Sequence, residues 1–178
     1  TWSDGTESVA AMVEAARARG YRYLAISDHS QSLAMAGGLD RERVRRQWEE
    51  IAQVDARHDD IRVLRATEVD ILADGRLDFD DELLAGFDWV TASMHSGLTQ
   101  DAARITARAE AAVGSPCVDT IGHPTGRMLG RRDAARVDID RLAAAAAASG
   151  TFLEVNGQPR RLDLDSGMAR RALAAGAR

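Results

Sequence analysis

Lysine is absent from this 178-residue chain, and all 23 basic residues are arginine. With its many alanines, that bias points to GC-rich coding more than to a function. Cysteine is almost absent too. Cys117 stands alone, which excludes a disulfide framework and a cysteine-rich zinc site and fits a reducing compartment. Its place in "SPCVDTIG" predicts a buried structural thiol at a strand start. No apolar run is long enough to span a membrane, and neither an initiator Met nor a signal-peptide pattern opens the chain. Basic excess is lacking as well. The net charge of −5 argues against a surface that grips nucleic acid by bulk charge, yet leaves room for an acidic pocket that handles phosphates through bound metals.

What is present is a repeating unit. Val9, Met12, Val13 and Ala16 fall at helical spacing, with Ser8 to cap the helix and Gly20 to end it. "YRYLAI" then predicts a strand ending at Asp28 and His29. Asp40 caps a second helix with Val44, Trp48 and Ile51 on its buried face, and "IRVLRATEVDIL" predicts a strand reaching Glu68. A short helix at "DDELLAG" leads to "FDWVTAS" and His95. A helix at "AARITARAEAAV" leads to "CVDTIG" and His123. The Ala-rich helix from Leu142 to Ser149 leads to "TFLEV" and Asn156, and a last helix lies at Ala169 to Ala175.

Helices alternating with short β-branched runs predict an α/β fold of parallel strands, about the size of one domain. Such strands place their C-terminal ends on one face, where chemistry sits in open sheets and barrels alike. Three of the four histidines, His29, His95 and His123, fall at strand ends, as does Glu68; His58, in "ARHDD", reads as a solvated loop. A single histidine after a strand is more often structural, and Asp28 alone is an ordinary turn residue. Four metal-type side chains at four strand ends predict a shared metal site. Histidines and carboxylates without cysteine suit zinc, manganese or iron, and clustered divalent ions activate water and clamp a phosphate ester. "HPTGRMLGRR" follows His123, so Arg127, Arg131 and Arg132 are expected on or near the active face, suited to phosphate; a solvated basic loop is the alternative, favoured for Arg131 and Arg132, and Arg160 and Arg161 after Asn156 read similarly.

"SDGTESVAAMVEAARARGYRYLAISDHS", "AGGL", "ATEVDILADGRLDF", "ASMHSGL" and "IGHPTGRMLGRR" together resemble a PHP (polymerase and histidinol phosphatase) domain. They are most similar to the one at the C-terminus of bacterial family X DNA polymerases. The resemblance implies a distorted TIM-like (βα)7 barrel and a site for up to three divalent metals, manganese, zinc or iron. Its ligands here would be Asp4, His29, Glu68, His95 and His123, with Glu68 bridging two ions. Asp28 and Asn156 would support them, and Glu68, His95 and Arg127 would serve catalysis. The family's H-x-H motif on the first strand and D-x-H motif on the last are not present, so the chain reads as residues 1–178 of a partial domain. The implied activity is metal-dependent hydrolysis at DNA 3′ ends, 3′–5′ exonuclease or 3′-end processing, in the cytoplasm, with a polymerase domain upstream in the same protein and no membrane. Two other readings stay open: a phosphatase for a small substrate such as histidinol phosphate, and a non-catalytic structural module.

Overall fold

The computed structural model describes residues 1–178. Its strands are β1 (Tyr23–His29), β2 (Arg62–Asp70), β3 (Trp89–Ser93), β4 (Thr120–Ile121) and β5 (Phe152–Leu153). Its helices are α1 (Val9–Ala18), α2 (Arg41–Asp55), α3 (Asp81–Leu84), α4 (Ala102–Val113), α5 (Ile139–Ser149) and α6 (Ser166–Ala174). The strands follow one another in the sheet in chain order, and the β1–β2, β3–β4 and β4–β5 pairs are parallel. Helix and strand alternate as the periodicity predicts. No helix is long and apolar enough to cross a membrane. The chain divides into two compact units, residues 1–68 with 79–90, and residues 69–78 with 91–178.

The first unit begins with α1, whose start is fixed by Ser8: its side chain accepts from the Ala11 amide at 3.1 Å. Val9, Val13 and Ala16 are buried, whereas Met12 is 39% exposed, so the apolar stripe is narrower than its spacing suggested. Asp40 caps α2 through the Arg43 amide at 2.8 Å. Val44, Gln47, Ile51 and Val54 form the buried face of α2, and Trp48 stands at its margin, edge-on to Phe87. Val9, Val13 and Ala16 pack with Ile26, Ile51, Val54, Ile61 and Val63 into one core. With aromatics at only 4% of the chain, this core is almost wholly aliphatic, and each Val or Ile buried contributes about 1.5–3 kcal/mol. The core sets β1 against β2 in parallel register, from Tyr23 opposite Arg62 to His29 opposite Glu68.

In the second unit α4 packs on α5, and α5 on α6. The stripe Ile139, Leu142, Ala143 and Ala146 faces inward from α5. Asp101, Asp138 and Asp165 cap α4, α5 and α6 with their carboxylates. Cys117 lies half-buried in the turn before β4 rather than fully buried at a strand start, because the strand begins only at Thr120. In the first unit, His58 is also more covered than a solvated loop would leave it: its side chain is 13% exposed, with Nε2 3.5 Å from Glu14.

Candidate metal centre

In the first unit, the register of β1 and β2 places His29 and Glu68 side by side at the strand ends. His29 Nδ1 lies 3.5 Å from Glu68 Oε2, and both side chains are about four-fifths buried. One imidazole and one carboxylate thus meet where parallel strands present their C-terminal ends.

Two devices hold this pair. The first is the return of the chain after β1. A short 3-10 turn, Ala34–Ala36, ends at Gly37, and the Leu39 amide then donates to the His29 carbonyl at 2.8 Å. Gly38 passes so close to Ser30 that an added Cβ would stand 1.9 Å from the Ser30 carbonyl oxygen. Only glycine permits that approach. Gly38→Ala is therefore expected to destabilise by ~2–4 kcal/mol and to move the backbone beside His29. Denaturant unfolding of the full-length protein measures the first effect; an unshifted midpoint contradicts it.

The second device is Asp28. Its carboxylate is buried and does not face the imidazole of its neighbour. It accepts from the amides of Trp2 and Ser3 at 2.9 and 2.7 Å, from the hydroxyls of Thr1 and Ser3, and from Gln47 Nε2. Burial pushes its pKa up, but the Ser3 and Thr1 donors outweigh burial and hold it below the ordinary value. Asp28 thereby fixes the "TWSD" segment. Asp4 follows directly and is exposed, with Oδ1 3.3 Å from the Ser3 hydroxyl.

The second unit carries His95 and His123. His95, two residues beyond β3, sets Nδ1 2.7 Å from Asp70 Oδ1. Asp70 is buried and ends β2, two residues after Glu68, so the alternation of a strand turns both carboxylates to one face. A carboxylate on one ring nitrogen fixes the tautomer and directs the other toward a cation, an arrangement typical of histidine ligands. The rings of His95 and His123 meet edge to face, centroids 5.3 Å apart. His123 is buried and holds φ = 59°, the left-handed region that costs a non-glycine residue about 1 kcal/mol or more. A tight turn keeps it there, the Gly126 amide donating to its carbonyl at 3.1 Å.

Behind that turn lies Asp163, buried, whose carboxylate accepts from the amides of Thr125 and Arg127. Arg127 directs Nε and Nη2 to the carbonyls of Arg161 and Leu162, and Nη1 lies 3.7 Å from Asp165. Its guanidinium thus staples two loops together. Asn156 shapes the second of those loops: Oδ1 accepts from the Gln158 amide and Nδ2 donates to Glu154. Arg108 of α4 is buried and donates to the carbonyls of Ile71 and Ser96, which neighbour Asp70 and His95 in sequence. Burial lowers its pKa, against the pull of Asp70 and Asp74.

Asp70, Asp163 and Arg108 did not enter the sequence reading. Two of them left a trace. Asp70 sits at i+2 from Glu68 in a strand, and Arg108 interrupts the apolar stripe of Ile105, Ala109 and Ala112. Asp163 left none. The donors suit a divalent cation: imidazoles and carboxylates without thiolate, one imidazole already oriented by a buried carboxylate.

The PHP domain family model matches residues 1–158. The chain is 48% identical over 164 residues to the DNA polymerase/3′-5′ exonuclease PolX of Bacillus subtilis, covering 92% of this chain and 29% of that protein. It is 32% identical over 100 residues to a "Probable phosphatase" of Caldanaerobacter subterraneus, 54% of this chain and 37% of the relative. A "Probable phosphatase" of Acetivibrio thermocellus is 28% identical over 153 residues, 84% of this chain and 58% of the relative. The chain therefore spans less than a third of the Bacillus relative and less than two-thirds of these phosphatases. By the extent of the family match and by the 48% identity across nearly its whole length, this chain belongs to the PHP domain family.

Proposed function

We propose that the chain is the phosphoesterase part of a family X DNA polymerase and removes nucleotides from DNA 3′ ends. The observation that supports this most is the donor set, His29 beside Glu68 and His95 held by Asp70, in a chain 48% identical to a polymerase/3′-5′ exonuclease. His29 with Glu68 in the first unit, and His95 with His123 in the second, have the donor chemistry of metal-holding groups. Asp4 is a further ligand in this reading. The five strands are consecutive strands of a (βα)7 barrel, the polymerase portion lies in the same protein, and its place is the cytoplasm. Manganese, zinc and iron all fit the donors.

A divalent cation held there supplies a Lewis acid and a water of lowered pKa. The chain's own residues do the rest. Glu68 and the histidines would hold the cation, whose charge would draw the phosphodiester to the site. Asp70 keeps the His95 ring in one tautomer. The left-handed turn at His123 holds its imidazole in place before the substrate arrives, so little reorganisation is needed. Arg127, four residues on, positions the loop that faces the phosphate.

With Mn²⁺, the full-length protein is expected to shorten a 5′-labelled single-stranded oligonucleotide stepwise from its 3′ end, and chelation with EDTA is expected to stop it. An intact oligonucleotide alongside rapid hydrolysis of histidinol phosphate overturns this in favour of the small-substrate reading, which the two phosphatase relatives support. Absence of both reactions leaves the structural-module reading.

A further inference from the structure

The two loops that Arg127 staples carry five more arginines, Arg136 among them. Arg131 and Arg132 lie on the loop after β4, Arg160 and Arg161 on the loop after β5. The Leu129 amide donates to the Arg160 carbonyl at 2.7 Å, which sets the loops side by side. The first loop folds on itself, Met128 and Arg132 exchanging backbone hydrogen bonds of 2.9 and 2.8 Å. Arg132 Nε then donates to the Gly126 carbonyl at 2.8 Å, so its guanidinium has one fixed edge. A cavity of about 340 Å³ opens between Arg127 and Asp133, lined by Arg131 and Arg132.

The charges here are poorly matched. Asp165 stands near Arg127. Asp163 is buried and its carboxylate is engaged by two backbone amides. Asp133 is the carboxylate beside the turn of the first loop, Asp138 being engaged at the start of α5, against Arg131, Arg132, Arg160 and Arg161. Arg161 Nη1 is buried with no hydrogen-bond partner. Burial lowers the Arg132 pKa, and the Arg161 charge lowers it further, partly offset by Asp163. A chain of net charge −5 has gathered like charges on two stapled loops and left a buried guanidinium N–H without an acceptor. Such a donor is destabilising unless something supplies the acceptor.

We infer that Arg131, Arg132, Arg160 and Arg161 form a cradle for a backbone phosphate of a nucleic-acid strand, separate from the phosphate that is cleaved. A phosphodiester supplies two acceptor oxygens to planar guanidinium forks, the geometry arginine suits and an ammonium does not. The inference rests on the exonuclease reading and adds to it. The preferred substrate is a strand several nucleotides long, which offers the cradle a backbone phosphate besides the one cleaved. The cradle acts on binding, not on bond cleavage.

The test compares two substrates of the full-length protein with Mn²⁺: a single-stranded 20-mer and thymidine 5′-p-nitrophenyl phosphate. Arg161→Gln is expected to raise KM for the 20-mer about tenfold, with kcat for both substrates and KM for the small ester unchanged. Arg131→Gln/Arg160→Gln, at exposed positions that hold no loop contact through their side chains, is expected to act in the same direction without altering the unfolding midpoint. Equal effects on both substrates, or none on the 20-mer, overturn the cradle. Fluorescence anisotropy of the 20-mer in EDTA keeps the test separate from catalysis. There, each lost phosphate contact is expected to reduce the slope of log affinity against log salt by about 0.7. An unchanged slope in both variants overturns the cradle even if neither substrate is hydrolysed, an outcome that overturns the exonuclease reading alone.

Discussion

His95→Ala in the full-length protein is expected to reduce metal-dependent hydrolysis at a DNA 3′ end by more than ~100-fold. Losing a residue that only orients a ligand typically costs about 10–100-fold in metal affinity or activity, and loss of the ligand itself costs more. The same substitution leaves Asp70, buried at the end of β2, without its 2.7 Å bond to the imidazole. That costs about 1–3 kcal/mol, within what a domain of ordinary stability tolerates. The variant therefore unfolds at a somewhat lower midpoint yet remains folded under assay conditions. Asp70→Asn gives the graded counterpart. The amide oxygen still accepts from Nδ1–H but no longer steadies charge on the ring, so manganese affinity is expected to fall within the 10–100-fold range. Titration of the metal against activity reads both. Activity retained within a few-fold in His95→Ala refutes a catalytic role for the site and favours the structural module.

Arg108→Ala is expected to give the largest loss of stability, ~3–5 kcal/mol by denaturant unfolding. The guanidinium donates to Ser96 O at 2.7 Å and to Ile71 O; the buried Ile71 carbonyl left without its donor costs about 1–3 kcal/mol, and the half-buried Ser96 contact and the lost apolar stem add to it. Arg108→Met separates this from packing, since it restores most of the apolar stem and none of the donors. It is expected to be nearly as damaging as alanine. Arg108→Lys is expected to fall between, because a single ammonium cannot serve two carbonyls that the planar fork spans. A methionine variant within about 1 kcal/mol of the parent sinks the argument and assigns the residue to packing. The loss should also lower manganese affinity, since Ile71 and Ser96 directly follow Asp70 and His95.

The alternation of elements was legible because amphipathic periods and cap residues are local. Ser8 and Asp40 cap the helices they were expected to cap, and β1 ends at His29. The strand-end histidines were legible for the same reason: a polar residue after an apolar run marks where a parallel strand stops. Partners brought in from elsewhere in the chain were not. Asp163 reaches Thr125 across 38 positions, and no pattern in its neighbours announces this. Arg127 lies on the expected loop, but its hydrogen bonds to the Arg161 and Leu162 carbonyls depend on how two loops meet. Asp28 was read as support for His29. What it grips, Thr1 to Ser3 and Gln47, depends on tertiary packing that a strand pattern cannot encode.

The backbone of His123 also limits what that position can become. With φ at 59°, it admits Gly freely and Asn, Asp and His at less cost than β-branched or bulky replacements. Of those four, only His and Asp are strong cation donors in a site of this kind. In the proposed site, a mutational path that keeps a cation donor here has two residues to move between, and every other single step either strains the turn or weakens the donor. Drift at 123 is thus confined by the peptide backbone before selection for catalysis acts. A library randomised at this codon and sorted only for folded protein should already be enriched in those four residues.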